Sequence, residues 1–181
     1  MAKKKPAPKK QPNKPAKKPT KKRAAAEPKP IADASPELAE QGFFHAEYHW
    51  EADRMIPALD ARVRVLVDHN VGRVEPIQAK ALELLLESTA DLKKLALKAA
   101  YETMLAWVEG YRTRHPDFRG KPIGEKPFMR GCELKSVLVP SAPDAKPVFL
   151  LTLFWPEDTR PCEVRFEWLK GKWVVTGCER N

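Results

Sequence analysis

The chain has 181 residues, enough for one domain and an appendage, with a formal net charge of +9 and 3 cysteines. Cys132, Cys162 and Cys178 are too few and too scattered for a disulfide framework or a zinc knuckle, and predict reduced thiols in a cytoplasmic protein. No apolar run approaches the length of a membrane span, and the charged N-terminus never reaches the apolar stretch of a secretory signal.

The charge is unevenly placed. Residues 1–30 hold 12 of the 33 basic residues and one of the 24 acidic ones, Glu27, a net of +11 that leaves −2 for the remainder. Their sequence, MAKKKPAPKKQPNKPAKKPTKKRAAAEPKP, contains 7 prolines and almost nothing that can enter a core. Mutual repulsion and low hydrophobicity predict a disordered Lys/Pro/Ala-rich tail over residues 1–36. Its cations Lys3, Lys4, Lys5, Lys9, Lys10, Lys14, Lys17, Lys18, Lys21, Lys22 and Arg23 are the candidate polyanion-binding residues. Flexible cations bind nucleic acid or another polyanion by releasing condensed counterions, and have no means of reading bases. The composition resembles the tails of linker-histone-like proteins. The plainer reading is a solubilising linker with incidental charge.

A single folded domain is expected over 40–181. In "ASPELAEQ", Ser35 suits an N-cap and Pro36 the first helical position, so a short helical turn should open it. "FFHAEYHWEADRMIP" and "ARVRVLVDH" read as two strands of a hairpin around "ALD", with Val63, Val65 and Val67 on one face and Arg62, Arg64, Leu66 and Asp68 on the other. Pro57 falls at the end of the first strand. His45 and His49, four apart, lack the H-E-x-x-H order of a zinc-protease helix, because the glutamate is third in "HAEYH". On a strand, four residues span roughly 13 Å, too far for one metal ion, so both histidines read as ordinary residues of one strand face.

"VEPIQAKALELLLESTADLKKLALKAAYETMLAWVEGYR" predicts two helices. The first starts at Pro76 and presents Ile77, Ala81, Leu84 and Leu85; Ser88 with Asp91 resembles a capping box that restarts the chain. The second carries a polar stripe from Asp91 through Lys94, Lys98, Glu102 and Glu109 to Arg112. Its broad apolar side, Leu97, Tyr101, Met104, Leu105, Val108 and Tyr111, must pack against a sheet or a partner. "RHPDFRGKPIGEKPFMRGCE" reads as a long loop. The remaining strands are "ELKSVLV", "PVFLLTLFW", "CEVRFEWL" and "KWVVTGC". A Lys170–Gly171 turn closes the last hairpin with Trp168 opposite Trp173, Phe166 opposite Val175 and Val164 opposite Gly177. That register sets Cys162 and Cys178 on opposite faces and disfavours a disulfide.

Few motifs carry chemistry. The turn "PEDTR" gathers Glu157, Asp158 and Arg160, and reads as a solvated acidic turn. "RTRHPDFRGK" places Arg112, Arg114, His115, Arg119 and Lys121 near a loop; a small enzyme working there would need a deep pocket lined by His115 and a carboxylate. Cys132 or Cys162 as a nucleophile lacks a local partner base. Nothing calls for a cofactor or a metal, and a non-enzymatic protein is favoured.

The segments "HWEADRMIPALDARVRVLV", "PIQAKALELLLE" and "LTLFWPED…EVRFEWLKGKWVVTGCER" together resemble an uncharacterised bacterial domain family with immunity-type relatives, over roughly residues 47–181. Such domains often carry a W-D-x-E-H-G-like turn between the last strands; here "WPEDTR" keeps Trp155 and an acidic residue but lacks the histidine and glycine. The resemblance implies an α+β fold.

The expected architecture is therefore α+β: an antiparallel sheet of five to six strands, two helices packed on one face, and a disordered basic tail before it. A curved, cone-like sheet is the architectural alternative. The expected function is a non-catalytic binding module whose tail associates with nucleic acid or another polyanion. The alternative is an immunity-type protein that binds and inhibits a toxin, a protein partner, through its folded domain.

Overall fold

A computed structural model describes residues 36–46, 48–69, 73–141 and 146–181. The tail cations from Lys3 to Arg23, and the Ser35 cap, lie outside the described residues.

A short helix α1 (Pro36–Glu40) precedes a two-residue strand β1 (Phe44–His45) and the hairpin β2 (His49–Ile56) and β3 (Ala61–Asp68). The hairpin turns through a single 3-10 turn, Pro57–Leu59, where Pro57 stands at the first position and Asp60 takes the left-handed conformation (φ 46°). Helices α2 (Pro76–Leu86), α3 (Leu92–Arg114) and α4 (Glu125–Gly131) follow. The chain closes with four strands, β4 (Glu133–Val139), β5 (Val148–Phe154), β6 (Pro161–Leu169) and β7 (Lys172–Arg180).

All seven strands join one sheet in sequence order. Every neighbouring pair is antiparallel except β3 and β4, which run parallel. The parallel step is the one that the three helices bridge, as it must be: a parallel neighbour cannot be reached by a tight turn. The sheet thus has one strand more than the upper expectation and is mixed rather than wholly antiparallel.

One face of the sheet is the core. Val63, Val65 and Val67 are buried as their alternation requires, against Val137, Val139, Phe149, Leu151, Leu153, Val164 and Phe166 from the later strands. From the helices, Ala81, Leu82 and Leu85 of α2, and Leu92, Ala96, Ala100, Met104 and Val108 of α3, cover them. Leu105, expected inward, is exposed. The opposite sheet face carries Glu51, Arg64, Glu163 and Arg165, half-buried or exposed.

Three local expectations are corrected. The capping box belongs to α2: Glu75 and Gln78 exchange bonds there, whereas α3 starts at Asp91, whose carboxylate accepts from Lys94 N at 2.9 Å. Ser88 Oγ instead accepts from Ala90 N at 3.3 Å. The expected long loop contains α4, with Phe128 fully buried; Pro127 sits in its first turn, where a missing N–H costs nothing. The last hairpin keeps its expected register from Leu169–Lys172 through Phe166–Val175 and then slips by one residue. Thr176 is the extra residue of this bulge, so Arg165 faces Gly177 and Val164 faces Cys178, not Gly177.

Gln78 is the one polar residue among those described that is buried as a whole residue, backbone and side chain together. Its amide donates to Asp68 O (2.8 Å) at the end of β3 and to Val139 O (3.2 Å) at the end of β4, while its oxygen accepts from Glu75 N (2.9 Å). One side chain therefore ties the first turn of α2 to both strands of the parallel pair.

Candidate functional site

The β5–β6 turn builds the most chemically loaded corner of the domain. Asp158 N donates to Trp155 O at 3.2 Å, closing a turn with Pro156 at its second position and Glu157 at its third, with φ 62°. A left-handed third residue after proline is the type II pattern, which glycine ordinarily fills, so Glu157 holds a conformation unfavourable for a side-chain-bearing residue. Asp158 Oδ1 then accepts from Arg160 N at 3.0 Å. Gly131, ending α4, lies so close that a Cβ there would stand 2.7 Å from Pro156 Cγ.

Beneath this turn, Arg180 of β7 projects toward α3. Its side chain is only 8 % exposed, and its guanidinium carbon lies 4.2 Å from the Trp107 ring centroid and 5.0 Å from that of Trp155. Nη2 pairs with Asp158 Oδ2, while Nε is buried with no hydrogen-bond partner, as is Nε1 of Trp155. A guanidinium between two indole rings gains from the quadrupoles of both. Burial alone would raise the Asp158 carboxyl. The backbone bond from Arg160 and the charges of Arg180 and Arg160 outweigh that and hold it below the ordinary aspartate value.

These groups line a cleft of about 430 Å³ between α3, the segment before α4 and the β5–β6 turn. Its wall is apolar at Met104, Trp107, Ile123 and Trp155, and charged at Lys121, Arg160 and Arg180 against Glu157 and Asp158. The cleft is an aromatic-walled, mixed-charge site: Asp158 pairs with both Arg180 and Arg160, and Lys121 is the cation of the lining that has no ion pair within it. A larger groove, about 720 Å³ between α1 and α2, is lined by Leu38, Val74 and Leu82 with Glu37, Glu83 and Glu87. Among the described residues, no buried charge faces that groove.

The structure separates the other expected candidates. His45 and His49 do not share a strand: His45 stands on β1 opposite Trp50, and His49 on β2 opposite Asp68. Paired residues share a face, so the two rings point to opposite sides of the sheet. His45 Nε2 instead lies 2.9 Å from Nε2 of His69, the rings stacked at 4.7 Å, and His49 Nε2 lies 3.3 Å from Glu51. No cluster of three metal-ligating side chains occurs among the described residues.

The basic loop spends most of its cations on its own backbone. Arg112 Nη2 donates to Gly120 O (2.7 Å) and Arg114 Nε to Gly110 O (3.1 Å), and Arg119 donates to Pro116 O. His115 is exposed, 4.3 Å from the Tyr111 ring, and does not line the Arg180 cleft; Lys121 alone of the loop's basic residues does. "PEDTR" proves to be more than a solvated turn, since Asp158 is the counter-ion of a buried arginine. No signal in the sequence tied Arg180 to that turn: the residues are 22 apart and meet through the β6–β7 register.

This chain matches no family model, no curated protein and no solved structure. No helix among the described residues is long and apolar enough to cross a membrane.

Proposed function

We propose that this protein is a binding module in two parts: a cationic N-terminal segment that holds nucleic acid or another polyanion, and an α+β domain that contributes a second, shaped contact. The observation that carries this reading is the division of charge, +11 over residues 1–30 against −2 over the rest. Eleven cations between Lys3 and Arg23 supply affinity through counterion release, whatever the base sequence. The Arg180 cleft, with Lys121 and Arg160 at its rim, supplies the shaped contact.

Binding of duplex DNA and of RNA, measured for the full chain and for a variant lacking residues 1–30 over a salt series, tests the reading. The full chain should show log K falling with log salt at a slope of about −0.9 per phosphate neutralised, so a value approaching about −10 if every tail cation engages. The shortened chain should lose that slope and most of the affinity. Equal binding by both forms, or none by either near physiological salt, refutes the role of the tail.

A second reading is an immunity-type protein that inhibits a toxin by docking through its folded domain. It is favoured by Phe44 and Met55, which expose 59 % and 56 % of their surface on the outer face of β1 and β2. It predicts a stoichiometric protein complex that survives removal of residues 1–30.

A further inference from the structure

The bulge at Thr176 changes what the three cysteines can do. With the register shifted by one, Cys178 pairs with Val164 and Arg180 with Cys162, which places both cysteines on the core face of adjacent strands. Their Sγ atoms lie 3.3 Å apart, correcting the expectation that the two thiols face opposite ways. We propose that Cys162 and Cys178 form a reversible disulfide across β6 and β7, a thiol oxidation site built into the last hairpin.

Geometry carries the proposal. An S–S bond measures about 2.05 Å, so the sulfurs of this diagonal pair, 3.3 Å apart on strands already hydrogen-bonded together, need to close about 1.3 Å. The two thiols also divide the roles that disulfide formation requires. Cys178 is half-buried and reachable, whereas Cys162 is fully buried behind it. The hydrogen bond from the Cys162 thiol, with a further bond from Thr103 on α3, brings Cys178 down to about 7, against the pull of burial. The same contact, with burial, pushes Cys162 up and keeps it a thiol. Cys132 is pushed up to about 12 by burial and stays protonated. One accessible thiolate beside one resolving thiol is the arrangement that favours a disulfide over further oxidation.

With a hydroperoxide as oxidant, the Cys178 thiolate attacks one peroxide oxygen and the O–O bond breaks. The product is a sulfenic acid at Cys178 and an alcohol, or water from hydrogen peroxide, which takes a proton from solvent. The Cys162 sulfur then attacks the Cys178 sulfur; the S–S bond forms as the S–O bond breaks. The departing hydroxide takes the Cys162 proton and leaves as water. Two thiols have lost two electrons, and the peroxide has been reduced by the same two. A dithiol reductant reverses the change by thiol–disulfide exchange.

This site stands apart from the polyanion reading and survives or fails separately. The test is hydrogen peroxide added at near-stoichiometric amounts to the reduced full-length protein, followed by alkylation of free thiols, intact mass and peptide mapping. The expected result is a fall from three titratable thiols to one, a linked peptide pair containing Cys162 and Cys178 within a single chain, and recovery of all three thiols with dithiothreitol. C132S should behave as the parent, and C178S should form no intrachain link. Persistence of three thiols, linkage through Cys132, crosslinks only between chains, or sulfinic acid at Cys178 without a link would each overturn the proposal. Because the parent protein and C132S are decisive by themselves, misfolding of a core cysteine variant does not shield it.

Discussion

The Arg180–Asp158 pair makes the sharpest energetic test of the domain. Both side chains are well shielded, Arg180 at 8 % and Asp158 at 18 % exposure, so their attraction is not that of a surface pair. Asp158→Asn keeps the shape of the turn but removes the counter-ion of a guanidinium held between Trp107 and Trp155. A charge-assisted hydrogen bond is worth about 1.5–3 kcal/mol, and losing it leaves the buried cation poorly compensated, so the expected cost is about 2–3 kcal/mol. Arg180→Met keeps the apolar stem against the indoles and leaves Asp158 with Arg160, whose Nε is 3.7 Å away. Its cost should be smaller, about 1–2 kcal/mol, mostly the lost stacking over the two rings. The double variant removes both charges together and should cost clearly less than the sum, with a coupling of about 1–2 kcal/mol. Urea unfolding of the four proteins, followed by tryptophan fluorescence, gives all terms of the cycle. Additivity within about 0.5 kcal/mol would mean that the two groups do not interact, and would refute the description of the site.

Two further outcomes follow from the same corner and from the clamp on the parallel pair. The Asp158 carboxyl is held below its ordinary value in the folded state, so its contribution is fully present above the unfolded aspartate value near 4 and is lost as the pH falls through the lower folded value. The urea midpoint of the parent should therefore drop below about pH 4 more steeply than that of the Asp158→Asn variant; parallel curves would show that this carboxylate carries no acid sensitivity. Gln78→Leu leaves Asp68 O, Val139 O and Glu75 N without the partners they have now, and should cost about 2–3 kcal/mol in the same urea assay; a change under about 0.5 kcal/mol would mean that water or neighbouring backbone replaces the clamp.

What could be read from the sequence was whatever one face of one element decides. Val63, Val65 and Val67 declare a buried strand face because each outward neighbour is polar or half-exposed, and Trp168 and Trp173 meet at 5.3 Å because a Lys170–Gly171 turn permits only one nearby register. The strand β1 was not legible, being two residues long and paired only at Phe44 and His45. Helix α4 was hidden because Gly124, Pro127 and Gly131 punctuate it, each for a local reason: a cap, a first-turn position and a close approach to Pro156. The parallel β3–β4 neighbourhood follows from where the helices pack, a long-range fact that no window of sequence contains.

The single inserted residue at Thr176 has the widest consequences. Before it, the hairpin obeys the register set by its turn; after it, every side chain toward the end of β7 pairs one place further along β6. Cys178 and Arg180 both lie in that shifted stretch, so one bulge brings Cys178 to Cys162 and sets Arg180 opposite Cys162, where it reaches Asp158 and the two tryptophans. A β-bulge of this kind commonly re-aims a strand beside a functional site. Here it places a thiol pair and a buried guanidinium side by side on the core face. A crosslink between β6 and β7 at Cys162 would fix the strand segment that carries Arg180. The oxidation site and the cleft thus share no lining residue, but they meet at one strand pair, where Arg180 of the cleft stands opposite Cys162.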